Sequence, residues 1–224
     1  MALLAFAVGI LLGSVSTARI VARRLDPTVD ISKSKGLAAT REGYTGVSAS
    51  AVGLRYGARW GVLVAVLDGL KALIPTLAAQ ALFQEQAVVL AVAAGVVVGH
   101  VYPVYHRFHG GRGQACTLGA LLAIDPVAVP IVVLGAVIVG LSVFASVYVA
   151  RNGYPLMVFP WFLATQGWGP EAVFAIVVGV VTFAAMVPDV VTERRARHRF
   201  GQGRRSWGAS VLGAWREMFD PETT

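Results

Sequence analysis

Charged residues and cysteines are both scarce in this sequence. Only 14% of its 224 residues are charged, against the roughly 25% that is usual in soluble domains, so a soluble globular protein is not expected. The single cysteine, Cys116, excludes an internal disulfide and a cysteine-based zinc cluster, and it leaves the redox compartment undecided. No basic stretch precedes the first apolar run, so we expect that run to stay attached rather than to be cleaved as a signal peptide.

Apolar residues are abundant and come in blocks. They make up 56% of the chain, and the blocks approach the about 20 residues that a helix needs to cross a bilayer. The pattern predicts an all-α, polytopic membrane helix bundle of about seven transmembrane segments. The expected segments are Ala2 to Val21, 58–83, 87–103, the short Gln114 to Ile124, Val127 to Ala150, Tyr154 to Gln166 and Glu171 to Val187.

The positive charges predict the orientation of the bundle. The net charge of +7 comes from residues beside apolar blocks, without the interleaved aromatics of a single-strand binder, so it indicates membrane orientation rather than nucleic-acid binding. If the N-terminus lies outside, every Lys and Arg except Lys71 lies in or beside a cytoplasmic segment. We therefore expect a bundle over 1–192 with cytoplasmic loops at 22–57 and 104–113, and a basic cytoplasmic tail over 193–224.

A glycine-rich loop follows the third segment. Gly110, Gly111, Arg112 and Gly113 lead directly into the short helix. Glycines allow backbone N–H groups to approach an anion, a helix N-terminus adds partial positive charge, and an arginine can bind phosphate in a bidentate manner. The loop is consistent with a phosphate site at the membrane surface, and equally with a simple turn that obeys the positive-inside rule. It lacks the GK[ST] ending of a Walker loop, so ATP binding is not expected.

Two opposite charges lie inside the second segment. Asp68 and Lys71 are three residues apart and therefore share a helix face. Each costs roughly 2.5 to 3.5 kcal/mol at mid-bilayer on insertion scales, so both are expected to face the bundle interior and to pair. The pair is either purely structural or part of a polar site.

Several sequence motifs together resemble one enzyme family. GHVYPVYHRFHGGRG, from Gly99 to Gly113, is similar to the GHxFPxFxxFxGGKG motif of the bacterial acyl-phosphate glycerol 3-phosphate acyltransferases, the PlsY type. GSVSTARIVAR resembles GSIPxGYLIAK in the first span of that family, and LDGLKA resembles its LDLLKG. The resemblance implies that the donor phosphate is held by Gly110, Gly111, Arg112 and Gly113 with His100, and it places Lys71 near the polar site with Asp68 orienting it.

The motifs on the acceptor side match the family less closely. SGNxGATNxxR is echoed by YTGVSASAVGLR, in which Ser50 stands for a threonine, Ala51 for an asparagine, and Arg55 lies one residue beyond the arginine position. KGLAATR, at 35–41, offers another alignment. The motif RHxxNIxRL is retained as Arg197, His198 and Arg204, with glycine in place of its asparagine.

The resemblance implies a membrane enzyme that transfers an acyl group from acyl phosphate to glycerol 3-phosphate at the cytoplasmic face of the inner membrane. The catalytic candidates are Lys71, Arg112 and His198, and the acceptor candidates are Ser50, Arg55, Lys71 and Arg204. No cofactor is required, because an acyl phosphate is already activated, and a substrate phosphate is expected to accept the proton. The alternatives are a relative that uses a different acceptor and a non-enzymatic membrane protein that binds a lipid phosphate.

The remaining reactive side chains favour no other chemistry. His106 and His109 have no carboxylate or cysteine at ligand spacing, so no metal site is expected and a position at the lipid interface is favoured. His100 is expected to hydrogen-bond the loop. Cys116 could carry an acyl group, although a small residue in a packed helix is the more common case.

Overall fold

A computed structural model describes residues 1–31, 47–199 and 209–213, with no side-chain description for 192–199. Within these ranges the regular secondary structure is entirely helical, as the sequence predicts. The helices are α1 (Ala2–Gly13), α2 (Thr17–Leu25), α3 (Ala49–Tyr56), α4 (Ala58–Leu82), α5 (Gln86–Val101), α6 (Gln114–Ile124), α7 (Ala128–Ser142), α8 (Val147–Asn152), α9 (Tyr154–Gln166) and α10 (Pro170–Arg199), with a 3₁₀ turn at Val104–His106. Residues 32–46, which include the second alignment of the first-loop motif, lie outside the described part.

Helix length distinguishes two classes of apolar segment. Four stretches in the described part are long and apolar enough to cross a membrane, and they are Ala2–Leu25, Ala58–Leu82, Gln86–His106 and Pro170–Val191. Gln114–Ile124 and Ala128–Ser142 are shorter apolar helices; at 1.5 Å per residue, 11 residues cover only about 16 Å of a hydrocarbon core about 30 Å thick. Length alone therefore identifies four spans rather than the seven segments expected from the sequence.

Two of the expected continuous segments are broken. The first is interrupted between α1 and α2, where Ser16 caps the second helix by accepting a hydrogen bond from the amide of Arg19. The segment expected over Val127 to Ala150 ends as α7 at Ser142 and resumes as α8, with Ala145 in the left-handed region at φ 47°. The first break exposes backbone carbonyls inside the bundle, which the site uses.

The bundle is organised around α5. Its span is 67% buried, against 28–33% for the other three, so α5 is the central helix. It packs closely on α1, where a Cβ on Gly13 would lie 2.2 Å from the carbonyl oxygen of Val96, and one on Gly95 would lie 2.3 Å from that of Phe6. Small residues therefore allow the two backbones to touch, as is typical of helix pairs in membranes.

The outer surface is apolar and the interior contains the polar groups. Large exposed apolar side chains include Ile74, Leu134, Val180 and Phe183. Asp68, Thr76, Thr117, Thr182 and Asp189 are buried. This distribution is the reverse of that in a soluble protein and matches a lipid-facing bundle with a polar interior.

Candidate functional site

A charged cluster lies where α4 meets the end of α5. The Lys71 ammonium lies 3.1 Å from Asp68 Oδ1 and 3.0 Å from His100 Nδ1, and it donates to the carbonyl oxygen of Val15 at 2.9 Å. Asp68 also accepts a hydrogen bond of 2.5 Å from the Thr17 hydroxyl. The predicted pairing of Asp68 with Lys71 is therefore present, and both side chains are almost enclosed, at 4% and 10% exposure.

Three helical elements fix this cluster. The i,i+3 spacing on α4 stacks Asp68 below Lys71. Val15 lies in the break between α1 and α2, and its carbonyl oxygen accepts a hydrogen bond from the ammonium. His100 lies in the last turn of α5, so the imidazole faces both α4 and the loop that follows.

The tautomer of His100 follows from its neighbour. Nδ1 lies 3.0 Å from the Lys71 ammonium and 3.4 Å from Asp68 Oδ1. An ammonium can only donate, so we assign Nδ1 as the acceptor in the shorter contact and the ring proton to Nε2. Nε2 lies against Gly111, where a Cβ would be only 2.1 Å away. His100 therefore presents an N–H donor to the glycine-rich loop.

The glycine-rich loop folds onto the end of α5. The Gly111 amide donates to the carbonyl oxygen of His100 at 3.1 Å, so the bond to the loop is made by the main chain of His100 rather than by its imidazole. Gly113, the N-cap of α6, has φ 81°, a conformation that favours glycine. Within the described residues the amides of Gly110 and Gly113 donate no hydrogen bond to protein. Gly110 packs against the His100 carbonyl, and Gly113 packs against Val97, Val101 and Thr182.

Arg112 is engaged by a carboxylate that sequence reasoning missed. Its Nε and Nη2 donate to Asp189 on α10 at 2.7 and 2.8 Å, and the Tyr148 hydroxyl on α8 donates to the same carboxylate at 2.7 Å. Burial lowers the pKa of Arg112, and the hydrogen bonds and charge of Asp189 outweigh that effect, so the pKa is raised. The guanidinium is thus a fixed charge that ties the loop to α10.

The predicted acceptor residues are less closely grouped. Ser50 and Arg55 are exposed on α3, with the Arg55 guanidinium 5.6 Å from the Tyr56 ring centroid. His198 lies in α10 among the residues whose side chains are not described, and Arg204 lies outside the described residues. Of the predicted site residues, the described part brings together Lys71, His100 and Gly111.

A small cavity opens at the cluster. It is lined by the break between α1 and α2, by Asp68, His100, Pro103 and Gly111, and by Val47 before α3. Its volume is about 10 Å³, which is close to the minimum for a single water. Binding of any substrate here therefore requires the surrounding side chains to move.

The cluster also contains three potential metal ligands. Donor atoms of Asp68, His100 and Cys116 lie within 4.8 Å of one another. Lys71, however, contacts both the carboxylate and the imidazole, and the Cys116 thiol donates to the Asp68 carbonyl at 3.2 Å. An ammonium among these atoms repels a cation, so the geometry favours an ion-pair network.

Two signals in the sequence could have found the missed partners. Asp189 is a lone carboxylate at the end of an apolar segment, and such a residue needs a partner. Thr17 is a hydroxyl residue in the motif GSVSTARIVAR, and it is the first residue of α2, the helix that begins at the break. Neither signal identifies which residue is contacted, because the partners are 77 and 51 positions away.

Comparison with known proteins gives one consistent answer. The model of the glycerol-3-phosphate acyltransferase family matches residues 3–194. The glycerol-3-phosphate acyltransferase of Aquifex aeolicus is 33% identical over 175 residues, which cover 76% of this chain and 84% of that protein. That of Legionella pneumophila (strain Corby) is 41% identical over 120 residues, 52% of this chain and only 39% of the relative's length.

A solved structure is similar along nearly the whole chain. It is the glycerol 3-phosphate form of PlsY (YgiH), an integral membrane glycerol 3-phosphate acyltransferase. The TM-score is 0.68 at 28% identity, with 92% of this chain and 94% of that chain covered. The lysophosphatidic acid form matches with a TM-score of 0.65.

Proposed function

This chain belongs to the glycerol-3-phosphate acyltransferase family, and from that premise we propose that it transfers an acyl group from acyl phosphate to glycerol 3-phosphate, forming lysophosphatidic acid. The observation that carries the proposal is the Lys71 ammonium, which joins α4, α5 and the α1–α2 break beside the glycine-rich loop. A positive charge fixed next to free amide donors suits a leaving phosphate.

The reaction requires no covalent enzyme intermediate. The acceptor hydroxyl oxygen attacks the acyl carbon, the bond between that carbon and the phosphate oxygen breaks, and inorganic phosphate leaves with the bonding electron pair. The hydroxyl proton passes to a phosphate oxygen of a substrate. The chain's contribution is to position the two substrates and to stabilise the charge that develops on the leaving phosphate.

Each residue near the loop has a proposed role. The amides of Gly110 and Gly113 and the Nε2–H of His100 hold the donor phosphate, while the Gly111 amide keeps the loop on the His100 carbonyl. Lys71 neutralises the leaving group and is oriented by Asp68 and Thr17, while Arg112 supplies fixed positive charge next to the loop. Ser50, Arg55, His198 and Arg204 remain the candidates on the acceptor side.

The proposed topology places this site at the cytoplasmic face of the inner membrane. Seven segments cross or enter the bilayer, with the N-terminus outside and the C-terminal tail inside. The support is the segregation of Lys and Arg along the sequence.

Product formation tests the proposal. Purified protein in detergent is incubated with palmitoyl phosphate and labelled glycerol 3-phosphate, and labelled lysophosphatidic acid is quantified. We expect product from the wild type and a fall of roughly 100-fold or more in Lys71→Met, because a preorganised charge at the leaving group is lost. Arg59→Ala, which removes an exposed cation from the same helix, is the matched control and should keep full activity.

The alternatives predict different results in that assay. Release of inorganic phosphate without lysophosphatidic acid would indicate another acceptor. Binding of palmitoyl phosphate without any turnover would indicate a lipid-phosphate-binding protein. Equal activity in Lys71→Met and Arg59→Ala would refute the assigned role of Lys71.

A further inference from the structure

A second cavity lies along α2 and the residues that follow it. Its volume is about 170 Å³, and its lining includes Arg19, Arg23, Thr28 and Asp30. This is far more than the roughly 10 to 15 Å³ that one water needs. The two arginines are one helical turn apart at i and i+4, so both guanidiniums serve the same cavity.

Arg19 contains a polar atom without a partner. Its Nη2 donates to the carbonyl oxygen of His109 at 2.8 Å, next to the glycine-rich loop. Its Nη1 is buried and has no hydrogen-bond partner. A buried guanidinium nitrogen is costly when it donates to nothing, so this atom indicates a missing acceptor.

The charges around the cavity define the class of ligand. Arg19 and Arg23 are positive, and His106 lies near both of them. Two guanidiniums suit a phosphate group. Asp30 also lines the cavity and lies close to Arg19, and a carboxylate repels a bare anion but can accept hydrogen bonds from hydroxyl groups. The combination favours a phosphate monoester that carries hydroxyls over inorganic phosphate.

The cavity and the proposed reaction site both border α2 and the glycine-rich loop. Ser16 and Thr17, at the start of α2, line the small cavity with Asp68 and His100. Arg19, on the same helix, donates to the carbonyl oxygen of His109, the residue before Gly110. A phosphate held by Arg19 would therefore lie next to the loop that contacts His100.

We propose that Arg19 and Arg23 bind the phosphate of the acceptor polyol and orient its hydroxyls toward the acyl-transfer cluster. This inference rests on the proposed function. The sequence gives it a rationale: the first-loop arginine is displaced by one residue in this chain, and Arg19 stands where the resembling motif GSIPxGYLIAK has tyrosine. Arg19 therefore adds a cation that this motif does not contain, and Arg23 stands at the position of its lysine.

The experiment combines kinetics with direct binding. The Michaelis constants for palmitoyl phosphate and for glycerol 3-phosphate are measured for wild type, Arg19→Gln, Arg19→Lys, Arg23→Gln and Arg24→Gln. Arg24 is exposed and does not line the cavity, so it is the matched control. Binding of glycerol 3-phosphate and of inorganic phosphate is measured separately by calorimetry on the same proteins.

We expect Arg19→Gln to raise the Michaelis constant for glycerol 3-phosphate roughly 10- to 100-fold, as for a lost charge-assisted hydrogen bond. The constant for palmitoyl phosphate should stay unchanged, and Arg19→Lys should give an intermediate value because it keeps the charge but not the planar guanidinium. Arg23→Gln should give a smaller rise, Arg24→Gln none, and wild type should bind glycerol 3-phosphate more tightly than inorganic phosphate.

The outcomes separate this inference from the proposed function. If the wild type makes lysophosphatidic acid and Arg19→Gln has the acceptor constant of Arg24→Gln, the inference is wrong and the function stands. Parallel changes in both Michaelis constants would also overturn it, since they indicate a structural effect on the loop.

If no product forms but calorimetry shows binding of glycerol 3-phosphate that depends on Arg19, the site stands and the function fails.

Discussion

Among the single residues of the site, Gly111 lies in close contact with the His100 imidazole. The ring occupies the space in which any other residue would carry its Cβ. Because the same ring accepts from Lys71 through Nδ1, a displacement of the imidazole also removes one of the contacts that hold the ammonium. A single methyl group at position 111 is therefore expected to disturb the site without disturbing the bundle.

We predict that Gly111→Ala lowers the rate of lysophosphatidic acid formation roughly 100-fold, comparable to the loss of one preorganised donor. The apparent melting temperature in detergent should change little, because the far end of a side chain can move aside. Gly135→Ala on α7 is the control, since its Cβ would meet only Met157 at 3.7 Å. Wild-type activity in Gly111→Ala would show that acyl transfer does not depend on the position of the His100 imidazole.

Local spacing in the sequence predicted the pair of Asp68 and Lys71 but not the pair of Arg112 and Asp189. Asp68 and Lys71 lie on one helix three residues apart, so burial and pairing follow from helix geometry. Arg112 and Asp189 are 77 residues apart, and no local rule relates them. The sequence indicated that Arg112 could bind an anion. In the structure the anion bound to Arg112 is the carboxylate of Asp189.

At the scale of elements, the pair of Arg112 and Asp189 connects the glycine-rich loop to α10. Both side chains are nearly enclosed, at 11% and 4% exposure. Breaking a buried pair leaves one charge uncompensated, whereas replacing both partners by apolar residues is often tolerated. The pair is therefore expected to matter more for the placement of the loop than for net stability.

We predict that Asp189→Leu alone destabilises the protein by roughly 3 to 5 kcal/mol, seen as a clear fall in the apparent melting temperature. The double variant Arg112→Met with Asp189→Leu should recover most of this loss, because no charge is left unpaired. Its activity should remain low if Arg112 contributes charge to the donor phosphate. A double variant that is no more stable than Asp189→Leu would show that the two side chains are not energetically coupled.

Helix ends were predictable only where the sequence carries a breaker. Gly113 before α6 and Asp125 with Pro126 after it set the predicted bounds Gln114 to Ile124, and the helix has those bounds. The break between α7 and α8 has no such marker, because Val143 to Ala145 are apolar. It arises from packing: the Ser146 amide donates to the Gly140 carbonyl at 2.9 Å, and the backbones of Gly140 and Ala150 are in close contact.

At the scale of the whole molecule, the charge distribution and the apolar outer face support a single orientation in the membrane. The acidic turn that contains Glu85 joins α4 and α5 at one end, and the glycine-rich loop lies at the other end of α5. These two points are therefore expected on opposite sides of the bilayer. The only native cysteine, Cys116, is buried, so introduced cysteines can be labelled selectively.

We predict that Glu85→Cys reacts with a membrane-impermeant maleimide in intact cells. Arg24→Cys, at the opposite end of the bundle, should react only after the membrane is permeabilised, and the wild type should not react in either case. The expected pattern follows from the exclusion of Lys and Arg from outer segments. Labelling of Arg24→Cys and protection of Glu85→Cys in intact cells would invert the proposed topology.

The proposed donor site is tested most directly by a structure with a non-hydrolysable acyl phosphonate bound. We expect the phosphonate oxygens to accept hydrogen bonds from the amides of Gly110 and Gly113 and from Nε2–H of His100. We also expect the Lys71 ammonium to leave the carbonyl of Val15 and contact them. A phosphonate bound away from residues 110–113, with the ammonium unchanged on Val15, would contradict the proposed site.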